Sequence, residues 1–454
     1  LKYYRNKAVF AVGPHGEVGF KKGKSNFVID VEDCLLQNDP AMVCADALRA
    51  FLKMTGVRCI QQLTVRTAFG TGEVMAVLES EQKEIPQVEK LAEMLDDAVY
   101  SLSHQYDEPD EIDETVTLPL TDDEYNGEDA QDQTGLGYSL ESIAVIHKGR
   151  CRIIAGKPTI TEEVICDDGR IVSYEISPQS FFQVDPEQMV KLYDKAAEYA
   201  ALGTENGHGK VYSSGGIDAA DGIDTADGTD TVDGIDTVDG TDAADGIDTI
   251  DGTDTDYDAG DTDRGDRPNR KTVVLDLYCG AGTIGIWLLE ELRRRDEEAF
   301  SRTQVIGIES VKPAVIDANR NSVINNIINT RYICGKAEEE LPGMMGLTKL
   351  YKWNEVNERV EREPEIRIDR ADVAILDPPR AGCEEALLEA VVRAEPSRIV
   401  YVSCDPGTLA RDVKYLTHNG YDFVECTPID QFPWTSHVET VCLLSNRKPD
   451  TKVR

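Results

Sequence analysis

Apolar runs of three to five residues punctuate the C-terminal half of the chain, with helical segments between them. They have the length and composition of short buried strands, and they lie at residues 273–277, 305–308, 331–333, 373–376 and 399–402. Two closing strands are predicted at residues 421–426 and 440–444. Strand–helix alternation of this kind predicts an α/β fold with a doubly wound, mostly parallel, Rossmann-like sheet over residues 270–454.

The N-terminal part of the chain shows a different order of elements, which predicts a separate α+β domain over residues 1–165. A polar, acidic insert at residues 104–136 interrupts this domain and is predicted to be a mobile loop. Residues 166–203 are predicted to link it to the following part. The predicted elements are two helices at residues 41–54 and 84–100, and four strands at residues 60–67, 73–78, 142–146 and 152–155.

An aspartate-rich repeat occupies most of residues 204–269. From Gly216 to Gly252 a six-residue unit recurs, for example Gly-Ile-Asp-Thr-Ala-Asp. Acid at every third position is compatible with calcium binding or a β-solenoid. The few Ile and Val residues cannot build a core, which favours a disordered, low-complexity insert. We assign no chemistry to this repeat.

The net charge of −38 argues at first against a nucleic-acid partner. The location of the acidic residues along the chain changes that conclusion. Residues 216–266 contain 18 Asp and a single cation, Arg264, and residues 107–132 contain 12 acids with no Lys or Arg. These two inserts carry −29 of the total, which leaves only −9 for the rest of the chain.

The cysteines and the hydropathy indicate the compartment. The 11 cysteines are scattered without any Cys-x-x-Cys pair, so we expect a reducing environment rather than a disulfide framework. There is no apolar run of 18 or more residues and no signal peptide, so we expect no membrane association. The sequence therefore predicts a cytoplasmic protein.

A glycine-rich turn follows the first strand of the C-terminal half. Gly280, Gly282 and Gly285 match the spacing G-x-G-x-x-G, and Glu309 ends the next strand, well placed to accept ribose hydroxyls. This pattern is typical of a dinucleotide-dependent oxidoreductase. The alternative is S-adenosylmethionine, because the Asp276 carboxylate before the loop suits a cationic sulfonium and would repel pyrophosphate. The loop by itself leaves both readings open.

Three side chains at strand ends indicate covalent catalysis. Cys404 follows the buried strand at residues 399–402, and Asp377 ends the preceding strand beside two prolines. A thiolate that adds to C6 of uracil makes C5 nucleophilic toward a methyl group. Glu439, which opens the last strand, is the candidate base for the C5 proton. Arg380 stands where enzymes that methylate exocyclic nitrogens carry an aromatic residue, so that reaction is disfavoured.

With these residues in view, the chain resembles the RNA (uracil-C5)-methyltransferases, and most of all those that modify 23S ribosomal RNA. The motifs that carry the resemblance occur in order and span most of the chain outside the two acidic inserts. They are Ser177-Pro-Gln-Ser-Phe-Phe-Gln183-Val-Asp-Pro, Asp276-Leu-Tyr-Cys-Gly-Ala-Gly-Thr283, Asp377-Pro-Pro-Arg-Ala-Gly382, Ser403-Cys404-Asp-Pro-Gly-Thr and His437-Val-Glu439.

The resemblance implies a methyltransferase sheet and an N-terminal RNA-binding domain. It also implies that Cys404 is the C6 nucleophile and that Glu439 is the base. At Lys336 many relatives carry Asp or Asn near the adenine, so a backbone contact is what remains expected there. The positions implied to hold S-adenosylmethionine or to order its pocket are Gln183, Tyr278, Thr283, Glu309, Lys336 and Asp377.

Many relatives also hold an iron–sulfur cluster on four cysteines. Cys34 resembles the fourth of these ligands, but the other three cannot be found within this sequence. We therefore expect no cluster and no metal site in this chain, and a lone buried thiol at Cys34.

The implied partner is RNA, with no membrane and no obligate protein partner. Relatives with a Cys34-type position are chiefly ribosomal enzymes, so rRNA is favoured and tRNA is the alternative. A dinucleotide-dependent oxidoreductase and a non-catalytic RNA-binding protein remain as other classes. The cations expected to meet RNA phosphates form a basic N-terminal face: Lys2, Arg5, Lys7, Lys21, Lys22 and Lys24.

Overall fold

The computed structural model describes residues 2–104, 137–166, 168–202, 271–354 and 358–447. The predictions for the acidic insert and for the aspartate-rich repeat therefore lie outside the described residues. All the described residues belong to one compact unit. Among them, no helix is both long enough and apolar enough to cross a bilayer.

Seven strands of the described residues form an N-terminal sheet. They are β1 (Lys7–Val12), β2 (Val18–Lys21), β3 (Val28–Asp30), β4 (Ile60–Thr67), β5 (Glu73–Ser80), β6 (Ser139–His147) and β7 (Arg150–Gly156). Their order across the sheet is β3-β2-β1-β4-β5-β6-β7. The predicted β4–β5 hairpin is confirmed, and β5 and β6 are the one parallel pair of this described sheet.

Two helices cover one face of this sheet: α1 (Asp39–Thr55) and α2 (Val88–Ser103). Helix α1 begins where the Asn38 side chain accepts the N–H of Ala41, at 3.0 Å. It ends at Gly56, whose left-handed backbone, with φ of 73°, stops the helix. Both helices confirm the predicted pattern, although α2 begins four residues later than residue 84.

The second sheet also has seven strands within the described residues. They are β10 (Thr272–Leu277), β11 (Thr303–Glu309), β12 (Thr330–Cys334), β15 (Val373–Leu376), β16 (Arg398–Ser403), β17 (Tyr421–Ile429) and β18 (Glu439–Asn446). Their order is β12-β11-β10-β15-β16-β18-β17, and all neighbours are parallel except those that include β18. The predicted doubly wound, mostly parallel sheet is confirmed.

Helices pack on both faces of this second sheet. They are α4 (Thr283–Arg295), α5 (Glu297–Arg302), α6 (Lys312–Ile324), α7 (Ala337–Met344), α8 (Glu385–Arg393) and α9 (Pro406–His418). The chain runs outward through β10, β11 and β12, and then returns to place β15 on the other side of β10. The direction of winding therefore reverses between β10 and β15. A crevice opens there at the carboxyl ends of the strands, where open α/β sheets bind ligands.

Five elements were not predicted from the sequence. A hairpin of β8 (Ile160–Ile165) and β9 (Ile171–Ile176) spans the boundary proposed after residue 165, and α3 (Pro186–Ala200) follows it. A second hairpin consists of β13 (Leu350–Trp353) and β14 (Arg359–Arg362). The division into domains stays a prediction, because one apolar cluster joins β5 and β6 to β9, α3, α4 and the second sheet.

Candidate active site

Cys404 lies between the last residue of β16 and the first turn of α9. The strand ends at Ser403, and the side chain of Asp405 accepts the N–H of Thr408 at 2.9 Å, which caps the helix. Pro406 then occupies the first turn, where the missing N–H costs nothing. The thiol is held on this short corner and is partly exposed.

Strand pairing brings Glu439 to Cys404. Strands β16 and β18 are antiparallel, and Ser403 is the direct partner of Thr440. Cys404 follows Ser403 and Glu439 precedes Thr440, so this pairing brings the two residues to the same corner. Glu439 is buried, and burial raises the pKa of its carboxyl to about 8, with a further rise from Asp377 and a lowering by Arg380. The structure thus places the predicted nucleophile and the predicted base together.

Arg380 supplies the positive charge at this corner. Burial and the nearby Glu439 raise the pKa of the Cys404 thiol, whereas the charge and a hydrogen bond of Arg380 lower it. Its carbonyl accepts the hydroxyl of Thr408 at 3.0 Å, and its Nη2 lies 3.4 Å from Nε2 of His437. Arg380 therefore favours the thiolate form of Cys404 and the ionised form of Glu439.

Carboxylates are concentrated in the crevice at the reversal point. Burial raises the pKa of Asp276 to about 7, and the nearby Glu309 adds to this rise. Burial likewise raises the pKa of Asp377 to about 7, with contributions from Asp276 and Glu309. Oδ2 of Asp276 accepts the N–H of Gly285 at 3.1 Å, while the buried Oδ1 has no partner among the described residues. This site suits a cationic ligand.

The glycine-rich turn forms the floor of the crevice. Gly282 has φ of 75°, and a Cβ there would overlap the Tyr332 side chain. At Gly280, by contrast, a Cβ would meet nothing within 4 Å, so the space above it is open. The N–H of Gly280 donates to Oε2 of Glu309 at 3.1 Å, which joins the turn to the end of β11.

Thr283 and Tyr278 flank this turn, and each is held by a partner outside it. The hydroxyl of Tyr193, on α3, donates to Oγ1 of Thr283 at 2.7 Å. The hydroxyl of Tyr278 donates to Oε1 of Glu338, the second residue of α7, at 2.5 Å. Helices on two sides of the sheet thereby fix the orientation of the crevice walls.

Gln183 and Lys336 are the two remaining residues that were expected to hold the cofactor or order its pocket. Gln183 is buried, and its carbonyl accepts Nδ2 of Asn6 at 2.8 Å. Lys336 is exposed and precedes α7 without capping it through its side chain. It adjoins Gly335, whose N–H donates to the carbonyl of Glu309 at 2.9 Å. The roles of Gln183 and Lys336 stay predictions.

Cys34 does not assemble a metal site in the part of the chain that the structure describes. It is partly exposed rather than buried as expected, because it lies in the segment before α1 and not within a packed helix or strand. No group of three or more His, Cys, Asp or Glu side chains positioned for a metal ion occurs among the described residues. A four-cysteine cluster does not fit these residues, and we assign it no role.

Comparison with known proteins gives the family. A family model described as tRNA (Uracil-5-)-methyltransferase matches residues 267–447. An uncharacterized RNA methyltransferase of Caldanaerobacter subterraneus is 31% identical over 453 residues, which cover 97% of this chain and 72% of that protein. The chain belongs to the RNA (uracil-C5)-methyltransferase family. This membership decides against the dinucleotide-dependent oxidoreductase.

Further relatives agree with this family. An uncharacterized RNA methyltransferase of Staphylococcus aureus is 28% identical over 97% of this chain and 72% of its own length. Among solved structures, the Pyrococcus abyssi tRNA (uracil-54, C5)-methyltransferase in complex with S-adenosyl-L-homocysteine is similar with a TM-score of 0.55. It is 21% identical, and the match covers 98% of this chain and 76% of that one. This last similarity supports the fold.

Sequence patterns did not single out three residues that shape the site. Tyr193 lies on α3, an element that was not predicted, and Asn6 touches Gln183 across a large separation in sequence. Arg380 was noticed only as the replacement of an aromatic residue, although its motif lies between two candidate site residues. The signal that could have identified it was the need of a reactive thiol and a buried carboxyl for a neighbouring cation.

We predict that Arg380→Gln slows alkylation of Cys404 by iodoacetamide at neutral pH by at least about threefold, because the thiolate fraction falls when the cation is removed. Peptide mass spectrometry across a pH series measures this rate, and the two proteins should converge at high pH. Arg393→Gln, an exposed change on α8, is the matched control. Equal rates for all three proteins at pH 7 would contradict the role of Arg380.

Proposed function

We propose that this enzyme transfers a methyl group from S-adenosylmethionine to C5 of a uridine in structured RNA, through an adduct of Cys404. The observation that carries the proposal is the antiparallel pairing of β16 with β18, in which Ser403 is the direct partner of Thr440 and Glu439 is near enough to raise the pKa of the Cys404 thiol. The reaction needs a thiolate that attacks C6 and a base that removes the C5 proton. This corner holds a candidate for each, beside a crevice rich in carboxylates.

The residues of the crevice fit S-adenosylmethionine. Its sulfonium and ammonium groups are cations. Glu309 raises the pKa of Asp276, and Asp276 and Glu309 together raise the pKa of Asp377, so a bound cation would relieve this repulsion. The unpartnered Oδ1 of Asp276 and the open space above Gly280 give the ligand a place to bind. When bound, this cosubstrate supplies an electrophilic methyl group.

The Cys404 thiolate forms a bond to C6 of the uracil ring, and the C5–C6 π electrons move to C5 and O4. This enolate takes the methyl group at C5. Glu439 then accepts the C5 proton, the C–H electrons restore the C5–C6 double bond, and the C6–S bond breaks to return the thiolate. Arg380 stabilises the thiolate at the start and at the end of this sequence.

Glu439 has a reason to lie buried. An exposed carboxylate is a weak base, whereas burial raises the pKa of Glu439 to about 8 and so increases its affinity for a proton. Ionised Glu439 is the active form, so the elimination step should accelerate as the pH rises toward 8. The negative charge of Asp377 adds to the increase in the pKa of Glu439, and the positive charge of Arg380 opposes it.

A polar groove on the N-terminal sheet is our candidate for the RNA backbone. The groove has a volume of about 690 Å³ and lies on the sheet face opposite the α1–α2 core. Lys7 and Arg66 are direct partners on β1 and β4, and Lys148 lines the same groove, against one acid, Glu79. A chain with a net charge of −38 thus keeps a local excess of cations here, as an RNA phosphate requires.

Two of these cations are held in unusual settings. Burial, followed by the nearby Arg66, lowers the pKa of Lys7 to about 8, and an anion in the groove would oppose this. Arg66 is buried and donates to the carbonyl of Ser180, while its Nε has no partner in the described part of the chain. Asn6, next to Lys7, donates to the carbonyl of Gln183, one of the residues expected to order the S-adenosylmethionine pocket.

We propose rRNA as the substrate, and tRNA as the second candidate. The Cys34 position, which the resemblance associates chiefly with ribosomal enzymes, supports rRNA. The descriptions of the matching family model and of the Pyrococcus abyssi enzyme name tRNA, which supports the alternative. The target uridine has to leave its stack to reach Cys404, so either RNA should present it in a loop.

Variants of the two catalytic candidates separate the steps. We expect Cys404→Ala to abolish both methylation and the covalent complex with 5-fluorouridine RNA on denaturing gels. Glu439→Gln should still form the methylated adduct but release product about 10²–10⁴-fold more slowly, since the base is lost. In the unaltered enzyme, single-turnover product release should rise with pH and level off above about 8.

Cys151→Ala, an exposed change on β7, is the control for thiol loss. If Cys404→Ala retained the adduct, another nucleophile would have to be sought. If Glu439→Gln released product at the normal rate, Glu439 would not be the base.

A matched pair of charge changes tests the groove. We expect Lys7→Gln with Lys148→Gln to weaken RNA binding and to lower the slope of log affinity against log salt by roughly 1.4–1.8, because each lost phosphate contact removes about 0.7–0.9. Lys21→Gln with Lys22→Gln removes the same charge from exposed positions at the β2–β3 turn. Equal losses for both pairs, measured by fluorescence anisotropy, would instead favour the whole basic face.

The choice of RNA is tested by mapping 5-methyluridine across rRNA and tRNA from cells with and without the protein. We expect the modification to disappear from one uridine of 23S rRNA. Loss confined to a tRNA position would change the substrate and leave the chemistry in place.

A further inference from the structure

Two cysteines face each other on the free edge of the second sheet. Cys426, on the edge strand β17, and Cys442, on β18, are direct partners in the antiparallel register. Residues that are directly opposite project from the same face of a sheet. The two Sγ atoms lie 2.7 Å apart, against about 2.05 Å in a disulfide bond. The backbone already holds the two thiols where a bond between them can form.

The two thiols differ in access. Cys442 is buried in the apolar layer that also contains its neighbour Tyr401, on β16, whereas Cys426 is exposed. A small reagent therefore reaches Cys426 first. The hydrogen bond that Cys442 donates lowers the pKa of Cys426 to about 7, while the pKa of Cys442 is raised. Cys426 is thus partly thiolate near neutral pH, and Cys442 is the thiol behind it.

We propose that Cys426 and Cys442 form a site of reversible oxidative modification, which reacts with hydroperoxides and closes to a cross-strand disulfide. The Cys426 thiolate attacks one peroxide oxygen, so that an S–O bond forms, the O–O bond breaks, and the hydroxide that leaves takes up a proton as water. The Cys442 sulfur then attacks Sγ of Cys426, which forms the S–S bond and releases a second water. Two thiols lose two electrons, and one hydrogen peroxide becomes two waters.

This site is separate from the nucleophile. Burial and Glu439 raise the pKa of Cys404, so at neutral pH a smaller fraction of it is thiolate than of Cys426. Strands β17 and β18 are paired from Ile429–Glu439 to Tyr421–Asn446, and the bond joins positions between those ends. Closure therefore requires no change in strand register. We expect peroxide to consume the pair before Cys404, and Glu439, at the start of β18, to keep its place.

The experiment uses the full chain, reduced and freed of reductant, and treated with increasing hydrogen peroxide at pH 7.5. Free thiols are then blocked with iodoacetamide, and the protein is digested without reduction by a protease that cleaves after glutamate, because Glu439 but no Lys or Arg lies between the two cysteines. At the lowest effective dose we expect one linked peptide pair that contains Cys426 and Cys442, a loss of two titratable thiols, reversal by dithiothreitol, and full alkylation of Cys404.

Variants assign the two roles. In Cys442→Ser, Cys426 should stop at the sulfenic acid and be trapped by dimedone; in Cys426→Ser, Cys442 should stay reduced. Cys334→Ser, an exposed change at the end of β12, should leave the linked peptide unchanged. The proposal is overturned if both thiols remain alkylatable when Cys404 is already oxidised, or if Cys426 pairs with a cysteine other than Cys442. The peptide map of the unaltered chain decides this even where a variant fails to fold.

Discussion

The site depends on one constraint, the insertion of β18 between β16 and β17 against the direction of the parallel strands. A parallel strand in this position would place its last residue at this corner and its first residue at the opposite end of the strands. The antiparallel strand instead brings its first residue, Glu439, to the end of β16, where Cys404 lies. Backbone pairing between the two strands thus positions the candidate base beside the candidate nucleophile.

Burial has a second consequence for this corner and for the crevice beside it. Carboxyl groups withdrawn from water bind protons more tightly, and Asp276, Asp377 and Glu439 all show this. Such a cluster is electrostatically unfavourable in the empty protein, so a cation that enters is bound by relief of repulsion as well as by contact. Arg380, which is exposed, compensates part of this negative charge and lowers the pKa of Glu439.

The sequence predicted what depends on local pattern. The apolar runs and the two closing strands located all seven strands of the second sheet, and Cys404 was correctly expected just after a buried strand. The β8–β9 hairpin and α3 were missed, because both are defined by packing between the two halves of the chain. For the same reason the sequence could not predict the hydrogen bond between Tyr193 and Thr283 or the one between Asn6 and Gln183.

The edge strand β17 carries features that discourage an additional strand. Its register with β18 shifts between Phe423 and Glu425, which bends the strand, and Pro428 offers no N–H to a newcomer. Asp422 and Glu425 add charge along the same rim. Unpaired sheet margins invite association between copies, and interruptions of this kind are how natural sheets resist it. The margin that exposes Cys426 is therefore open to small molecules and closed to polypeptide.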